Sequence, residues 1–151
     1  MALVDKAISI AQMTPVIEEM IGAGKSVEIF PRGISMSPTI QNGDVVILKA
    51  FCDDIKKYDV VLYKRNDGTA VLHRVCALVK SDFVMAGDAQ SFVEYPVKKD
   101  QIVGIVTSVL RNGKIIYDRQ KRNLIGLFLK DVRHLRAKIR IYAHVYIFKR
   151  K

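Results

Sequence analysis

The sequence has few of the residues that mark metal-bound or disulfide-linked proteins. It has two cysteines, Cys52 and Cys76, and they form no CxxC pair. Its three histidines are scattered, without the spacing of a zinc site. No segment is of low complexity or rich in proline, and half of the residues are hydrophobic. We therefore expect a folded protein with a core of its own, without a disulfide scaffold, a metal or a cofactor.

Long hydrophobic runs are also missing. No stretch approaches the roughly 18 apolar residues of a membrane-spanning helix. Asp5, Lys6, Glu18 and Glu19 interrupt the N-terminal region, where a signal peptide or anchor would need a continuous apolar stretch. The sequence therefore predicts a cytoplasmic protein, either free or peripheral on the membrane.

Acidic residues are scarce in one part of the chain only. The protein has 151 residues, with 25 Lys and Arg against 15 Asp and Glu and a formal net charge of +10. Residues 119–151 hold 11 of the basic residues and a single acid, Asp131, so this segment accounts for the whole excess. A chain of this length makes one modest domain. Its positive charge belongs to the C-terminal segment, and residues 1–118 are electrically balanced.

The hydrophobic pattern near the N-terminus is helical. Residues 3–21 carry apolar side chains at helical spacing, interrupted at Thr14 and Pro15. We interpret this pattern as one short helix followed by a second, which has Thr14 as its N-cap and Pro15 at its first helical position.

The pattern changes to strands after the second helix. Asn66-Asp67-Gly68 and Asn112-Gly113 separate β-rich runs and are typical of hairpin turns. Strands do not alternate with helices, so a parallel dinucleotide-binding sheet is not expected. We predict a mainly β (α+β) fold, a sheet meander behind short N-terminal helices. The seven predicted strands cover residues 27–30, 45–49, 58–64, 70–79, 83–85, 102–110 and 114–117.

A dense motif lies between the first two predicted strands. It reads Gly33-Ile34-Ser35-Met36-Ser37-Pro38-Thr39-Ile40 and is followed by Gly43-Asp44. Glycine, serine and proline are ordinary in any loop, but the longer pattern gives each type a role. Gly33 permits an unusual backbone path, and Pro38 stiffens the segment after the serine. We interpret the motif as a rigid lip of the sheet that presents Ser35.

A serine hydroxyl is a weak nucleophile until a base takes its proton. His73 lies in the fourth predicted strand, where alternation places it on one face with apolar neighbours. A lone histidine in such a row is usually a core residue, but Ser35 upstream favours a general base. Cys76 falls on the opposite face, and Lys64 and Lys80 lie at strand ends where they stay solvated. We therefore prefer His73.

These residues together resemble a known family. The serine motif, His73-Arg74-Val75 on a strand, and Gly87-Asp88 before a polar loop resemble the type I signal peptidase superfamily, which includes the LexA-like self-cleaving proteins. The His-Arg pair is similar to the branch that uses Ser-His, whereas the other branches use Ser-Lys. The resemblance covers about residues 27–109. It implies a mostly β protease with Ser35 as nucleophile and His73 as general base.

The resemblance also implies that an acidic residue assists the histidine. Asp88 matches the Gly-Asp itself, and Glu94 stands where the Ser-His branch has an aspartate. Asp88 is equally compatible with a hairpin turn, and the sequence leaves open which acid touches His73. Many signal peptidases have a serine two residues before the nucleophile as an oxyanion donor, but this chain has Gly33 there. The backbone N–H of Ser35 is the donor that remains to be expected.

The C-terminal segment predicts a basic amphipathic helix. It could dock on the sheet, lie on an anionic membrane surface, or pair with a partner. Nucleic acid is not expected, because no recognition motif accompanies the charge. The two histidines of this segment, His134 and His144, are interpreted as ordinary polar positions. The predicted apolar stripe consists of Ile125, Phe128, Val132, Leu135, Ile139, Tyr142 and Tyr146, alternately three and four residues apart.

The chain thus divides into an N-terminal helical segment (1–25), a β peptidase domain (26–118) and a basic amphipathic tail (119–151). It predicts a signal-peptidase-like serine endopeptidase that cleaves a leader or precursor peptide after small residues by a Ser-His mechanism. Two alternatives stay open: a catalytically weak or inactive homologue acting as a binding or membrane-surface module, and a LexA-like self-cleaving protein. The expected partners are a peptide or precursor protein and, through residues 119–151, an anionic membrane surface. The sequence predicts no oligomeric state.

Overall fold

The structure is a computed structural model that describes residues 10–121 and 132–148. The described residues are mainly β, as the sequence predicts. Among them, neither of the two α-helices has the length and apolar character needed to cross a bilayer. The helices are α1 (Ile10–Gly22) and α2 (Leu135–Ala143), and the strands are β1 (Val27–Ile29), β2 (Val45–Lys49), β3 (Val60–Lys64), β4 (Ala70–Val79), β5 (Asp82–Ala86), β6 (Glu94–Val97), β7 (Ile102–Arg111) and β8 (Lys114–Asp118).

The strands form one antiparallel sheet in the order β1-β2-β7-β3-β4-β5-β6, with β8 paired to β7. The predicted meander is correct for the pairs β1-β2, β3-β4, β4-β5 and β7-β8, but it is wrong between β2 and β3, where β7 inserts, and between β5 and β7, which are not neighbours. The first five residues of β7 are buried, although the sheet is antiparallel and one face of such a strand could be solvated. The hairpin between β7 and β8 is as predicted. Asn112 and Gly113 have φ values of 51° and 74°, which suit a type I′ turn.

β6 has no counterpart among the predicted strands. It is a four-residue edge strand that pairs only with β5 and contains Pro96. Proline is tolerated there because an edge strand leaves some N–H groups without a ladder partner. β6 matters for function because Glu94 is its first residue and pairs with Met85 of β5.

Helix α1 runs through the position where the sequence predicts a break. Thr14 is therefore not an N-cap, and Pro15 lies inside the helix. The buried Thr14 hydroxyl donates to the carbonyl four residues earlier, at 2.8 Å. Ile17 and Ile21 are buried in the core and hold the helix against the sheet, which offsets the hydrogen bond lost at the proline. The start of the first predicted helix, in residues 1–9, lies outside the described residues.

Two apolar clusters lie on opposite sides of β3. Leu62 belongs to the cluster that contains α1, and Tyr63 belongs to the other. In β4, Leu72 joins the first cluster and Val75 the second, so the alternation predicted for this strand holds as far as Val75. A β-bulge in the pairing with β5 then interrupts it. His73 therefore faces the same side as Tyr63.

Candidate active site

Ser35 lies in the loop between β1 and β2 and is half-buried. Met36 and Ile40 anchor this loop, because both side chains are buried in the α1 cluster. Gly33 has a φ of 112°, a conformation that a side chain would strain, and the Ser37–Pro38 peptide is cis. The loop is thus anchored in the core directly after Ser35 and again at Ile40, while Ser35 itself stays half-buried.

Ser35 borders a small cleft of about 100 Å³. Met36, Ile40 and Leu72 give the cleft part of its lining, and the polar residues Arg32 and Gln41 also border it. Leu72 is the β4 residue just before His73, so the serine loop lies against the histidine strand. A small side chain fits the size of this cleft.

A chain of hydrogen bonds leads from His73 to a carboxylate. His73 is 1% exposed, and its Nδ1 lies 3.1 Å from the Tyr63 hydroxyl. The same hydroxyl donates to Glu94 Oε2 at 2.7 Å. Arg65 holds Glu94 from the other side, with its Nε 3.0 and 3.1 Å from the two carboxylate oxygens and a further bond from Nη2. Glu94 reaches His73 mainly through Tyr63, since its Oε1 lies 3.8 Å from Nδ1.

The hydrogen bonds assign the imidazole tautomer. A phenol has one proton to donate, and Tyr63 gives it to Glu94. The Tyr63 oxygen therefore accepts the proton on Nδ1 of His73, which leaves Nε2 as the unprotonated nitrogen. Nε2 makes no hydrogen bond with any described residue. It is the atom of His73 that can accept a proton.

Burial controls the charges along this chain. It lowers the pKa of His73 to about 4, against the opposing effect of the Glu94 charge, so the imidazole is neutral at pH 7. Burial, and then the bond to Glu94, raises the pKa of Tyr63, which stays protonated. Burial raises the pKa of Glu94, but the bonds from Arg65 and Tyr63 outweigh it and keep that pKa below its usual value. His73 is therefore neutral, and the negative charge of Glu94 lies two hydrogen bonds away from it.

Asp88 has a different role from Glu94. Its two oxygens accept bonds of 2.7 Å from Nε and Nη2 of Arg74, and both side chains are buried. Thr39 of the serine loop also donates to Asp88. Of the two acids predicted from the sequence, Glu94 is thus the one linked to His73. Asp88 joins the strand residue after His73 to the loop that carries Ser35.

The segment after β5 also contacts the backbone of Ser35. Ala89 donates its N–H to the Ser35 carbonyl at 2.9 Å. A Cβ on Gly87 would clash with the same carbonyl oxygen, so only glycine allows this approach. β5 ends at Ala86, which pairs with Arg74, the residue after His73. This places Ser35 beside the part of β4 that contains the histidine, although no hydrogen bond joins the two side chains within the described ranges.

The other candidate bases have different neighbours. Lys64 is 39% exposed and forms an ion pair with Glu18 at 2.6 Å. Cys76 is buried, and its sulfur lies 3.8 Å from Nδ1 of His134. Within residues 10–121 and 132–148, no group of three or more His, Cys, Asp or Glu side chains is placed to hold a metal ion.

Three residues of the site are not evident from the sequence motifs. Tyr63 could have been found by strand pairing, because it is diagonal to His73 across β3 and β4. Arg65 lies beyond the end of β3 and gives no such signal. His134 is buried rather than an ordinary polar position, and its Nε2 donates to the carbonyl of Gln90 at 2.6 Å. This bond connects the C-terminal segment to the loop that contacts Ser35.

No protein-family model matches the chain, and no curated protein matches it either. The class of site is therefore defined by its own residues: a serine in an anchored loop beside a strand that carries a neutral histidine linked to an acid.

Proposed function

We propose that the protein is a serine endopeptidase similar to the signal peptidases, with Ser35 as nucleophile and His73 as general base. The observation that carries the proposal is the chain from His73 through Tyr63 to Glu94. Burial keeps the imidazole neutral, while this chain fixes its tautomer and leaves Nε2 as the basic nitrogen. Any buried histidine needs a hydrogen-bond partner, so the feature that favours a general base is the unprotonated Nε2, which bonds to no described residue.

The proposed reaction follows from these protons. Ser35 Oγ attacks the carbonyl carbon of a peptide bond, and its proton passes to Nε2 of His73. The tetrahedral intermediate collapses, the C–N bond breaks, and Nε2 returns the proton to the leaving amine. Water then repeats the sequence on the acyl-enzyme and regenerates the serine. Glu94 stabilises the imidazolium that forms in each half, since its charge raises the pKa of the ring.

The oxyanion would be stabilised by the backbone N–H of Ser35. That N–H donates to no other described residue, so it is available to a developing negative charge. The serine loop keeps its place through Asp88 and Ala89, which bind Thr39 and the Ser35 carbonyl. We therefore assign Asp88 a positioning role on the serine side of the site, and Glu94 a positioning role on the histidine side.

The substrate in this proposal is a leader or precursor peptide with a small residue at the cut. The support for this is the family resemblance of the serine motif and the small size of the cleft beside Ser35. The chain would act in the cytoplasm or on the membrane surface. A catalytically inactive binding module is the competing function, and the missing hydrogen bond between Ser35 and His73 favours it.

Cleavage of a peptide library tests the two functions. The wild type and the variants Ser35→Ala and His73→Gln are incubated with peptides that contain small residues, and products are identified by mass spectrometry. Ser37→Ala and His144→Gln are the matched controls, because they change a serine of the same loop and an exposed histidine. We expect both site variants to lose roughly 1,000-fold or more in rate, and both controls to cleave like the wild type.

Two results would contradict the proposal. Equal cleavage by wild type and His73→Gln would remove His73 as the base. Absence of cleavage by every protein would favour the inactive binding module. Fragments of the chain itself in a sample without peptide would instead indicate self-cleavage of the LexA-like kind.

A further inference from the structure

The predicted apolar stripe of the C-terminal segment is exposed where the structure describes it. Leu135 is 48% exposed and Ile139 is 57% exposed. Tyr142 of α2 and Tyr146, in the π-helical turn His144–Phe148 that follows α2, are also exposed, and the centres of their stacked rings lie 5.9 Å apart. The members Ile125 and Phe128 lie outside the described residues. From Leu135 onward the stripe is thus largely exposed, although it borders a groove beside Ala77 and Leu78, and the Tyr142 hydroxyl donates to the Leu78 carbonyl at 3.4 Å.

A different face of the helix docks on the protein. His134, Lys138 and Val145 are buried, and Ile141 packs with Val145 against the end of β4 and β5. These residues recur at spacings of four, three and four. They occupy one side of the helix, about 100° from the stripe. This buried side already holds α2 against the sheet, so the exposed stripe is not needed to keep the helix in place.

Basic side chains border the stripe. Every charged residue in 132–148 is an arginine or a lysine, and Arg136 and Arg140 are exposed next to the apolar side chains. From the sheet side, Lys57 lines the groove beside Leu135 and Ile139. Lys80 lies 5.9 Å from the centre of the Tyr146 ring. The surface thus combines an apolar ridge, formed by Leu135 and Ile139, with two tyrosines and positive charge.

These features select one kind of partner. A second copy of the chain would bring two segments of the same strong positive charge together, which opposes self-association. Nucleic acid would satisfy the charge but would leave the apolar ridge without a partner. A bilayer with anionic headgroups accommodates both the positive charge and the apolar ridge. Aliphatic and tyrosine side chains enter its interface, and the arginines contact the phosphates.

We propose that the face formed by Leu135, Ile139, Tyr142 and Tyr146, together with Arg136 and Arg140, binds an anionic lipid surface. The face lies parallel to the bilayer, inserted at headgroup depth. The docked side of α2, with His134 on the carbonyl of Gln90, keeps the domain attached to the bound helix.

Co-sedimentation of the full chain with vesicles tests this proposal. One set of vesicles contains phosphatidylglycerol in phosphatidylcholine, and the other contains phosphatidylcholine alone. The wild type should bind the anionic vesicles at least tenfold more tightly, and this preference should fall as salt is added. Arg136→Gln with Arg140→Gln should lower the anionic partition coefficient roughly tenfold or more.

The apolar ridge has a matched control in the β7–β8 hairpin. Ile139→Ser should weaken vesicle binding by roughly tenfold, whereas Ile115→Ser, at an isoleucine that is 64% exposed, should not. Circular dichroism establishes that each variant is folded. Ser35→Ala should bind vesicles like the wild type, so the result does not depend on catalysis.

Three outcomes would overturn the proposal. The first is absence of vesicle binding, or equal binding to both kinds of vesicle. The second is an equal effect of Ile139→Ser and Ile115→Ser. The third is a dimer, measured by sedimentation equilibrium without lipid, that Ile139→Ser dissociates; that result would assign the ridge to a second copy.

Discussion

The buried imidazole of His73 should make the stability of the protein depend on pH. Its pKa in the folded protein is about 4, because burial disfavours the charged ring, while an unfolded histidine has a pKa of about 6.5. As the pH falls below 6.5, the unfolded chain therefore takes up a proton that the folded chain refuses. The stabilisation is complete above pH 6.5 and is lost as the pH falls toward 4.

The size of the effect follows from the two pKa values. A difference of about 2.5 pKa units corresponds to about 3 kcal/mol in the free energy of unfolding. Most of this loss falls within an accessible range, with about 2 kcal/mol between pH 7 and pH 5. Glu94 titrates mainly below this range, because the bonds from Arg65 and Tyr63 lower its pKa.

Urea unfolding followed by circular dichroism measures this dependence. The free energy of unfolding is determined at several values between pH 5 and pH 7 for the wild type and for His73→Gln. The exposed His144→Gln serves as the control for removing a histidine. The difference between wild type and His73→Gln should grow with pH by about 2 kcal/mol. Parallel pH profiles for these two proteins would refute a buried, neutral His73.

Three further predictions concern the neighbours of the site. Tyr63→Phe removes the bridge to Glu94 and leaves the Nδ1 proton of His73 without its acceptor, which should slow the chemical step roughly 5- to 150-fold, measured as kcat. Gly87→Ala pushes a methyl group against the Ser35 carbonyl and should cost about 1–3 kcal/mol in urea unfolding. Asp88→Asn leaves the buried Arg74 without its carboxylate and should lower the unfolding free energy by about 3–5 kcal/mol.

Each of these variants has a matched control. Tyr95→Phe changes a tyrosine of β6 and should keep the wild-type rate. Gly22→Ala, at the end of α1 with open space around the added methyl group, should not destabilise. Asp67→Asn changes an exposed turn aspartate. If a control variant loses as much rate or stability as the variant it is matched with, the role assigned to that site residue is wrong.

The strands and turns could be predicted because their signals are local. Alternating apolar residues mark β4 and β7, and Asn112-Gly113 provides the positive φ values of a tight turn. Strand order is not local. Nothing near Val46 indicates that it pairs with Val109 rather than with β3, because that choice depends on how whole strands are buried.

The residues of the site also divide into those with a local sequence signal and those without one. Ser35 and His73 stand in recognisable motifs, so the sequence could propose both. The sequence could not decide between Asp88 and Glu94, because that choice depends on β6. This strand is short and contains Pro96, so its residues do not show the pattern of a strand. The docking side of α2 was equally hidden, since a buried histidine and a buried lysine do not form an apolar pattern.

Covalent labelling tests directly whether Ser35 is a nucleophile activated by His73. The wild type is incubated with a fluorophosphonate probe, the adduct is measured by intact mass, and the modified residue is located by tandem mass spectrometry. One adduct is expected, on Ser35, and it should form at least 100-fold more slowly in His73→Gln and at the wild-type rate in His144→Gln. An adduct on another residue, or an equal labelling rate in His73→Gln, would contradict a Ser35–His73 active site.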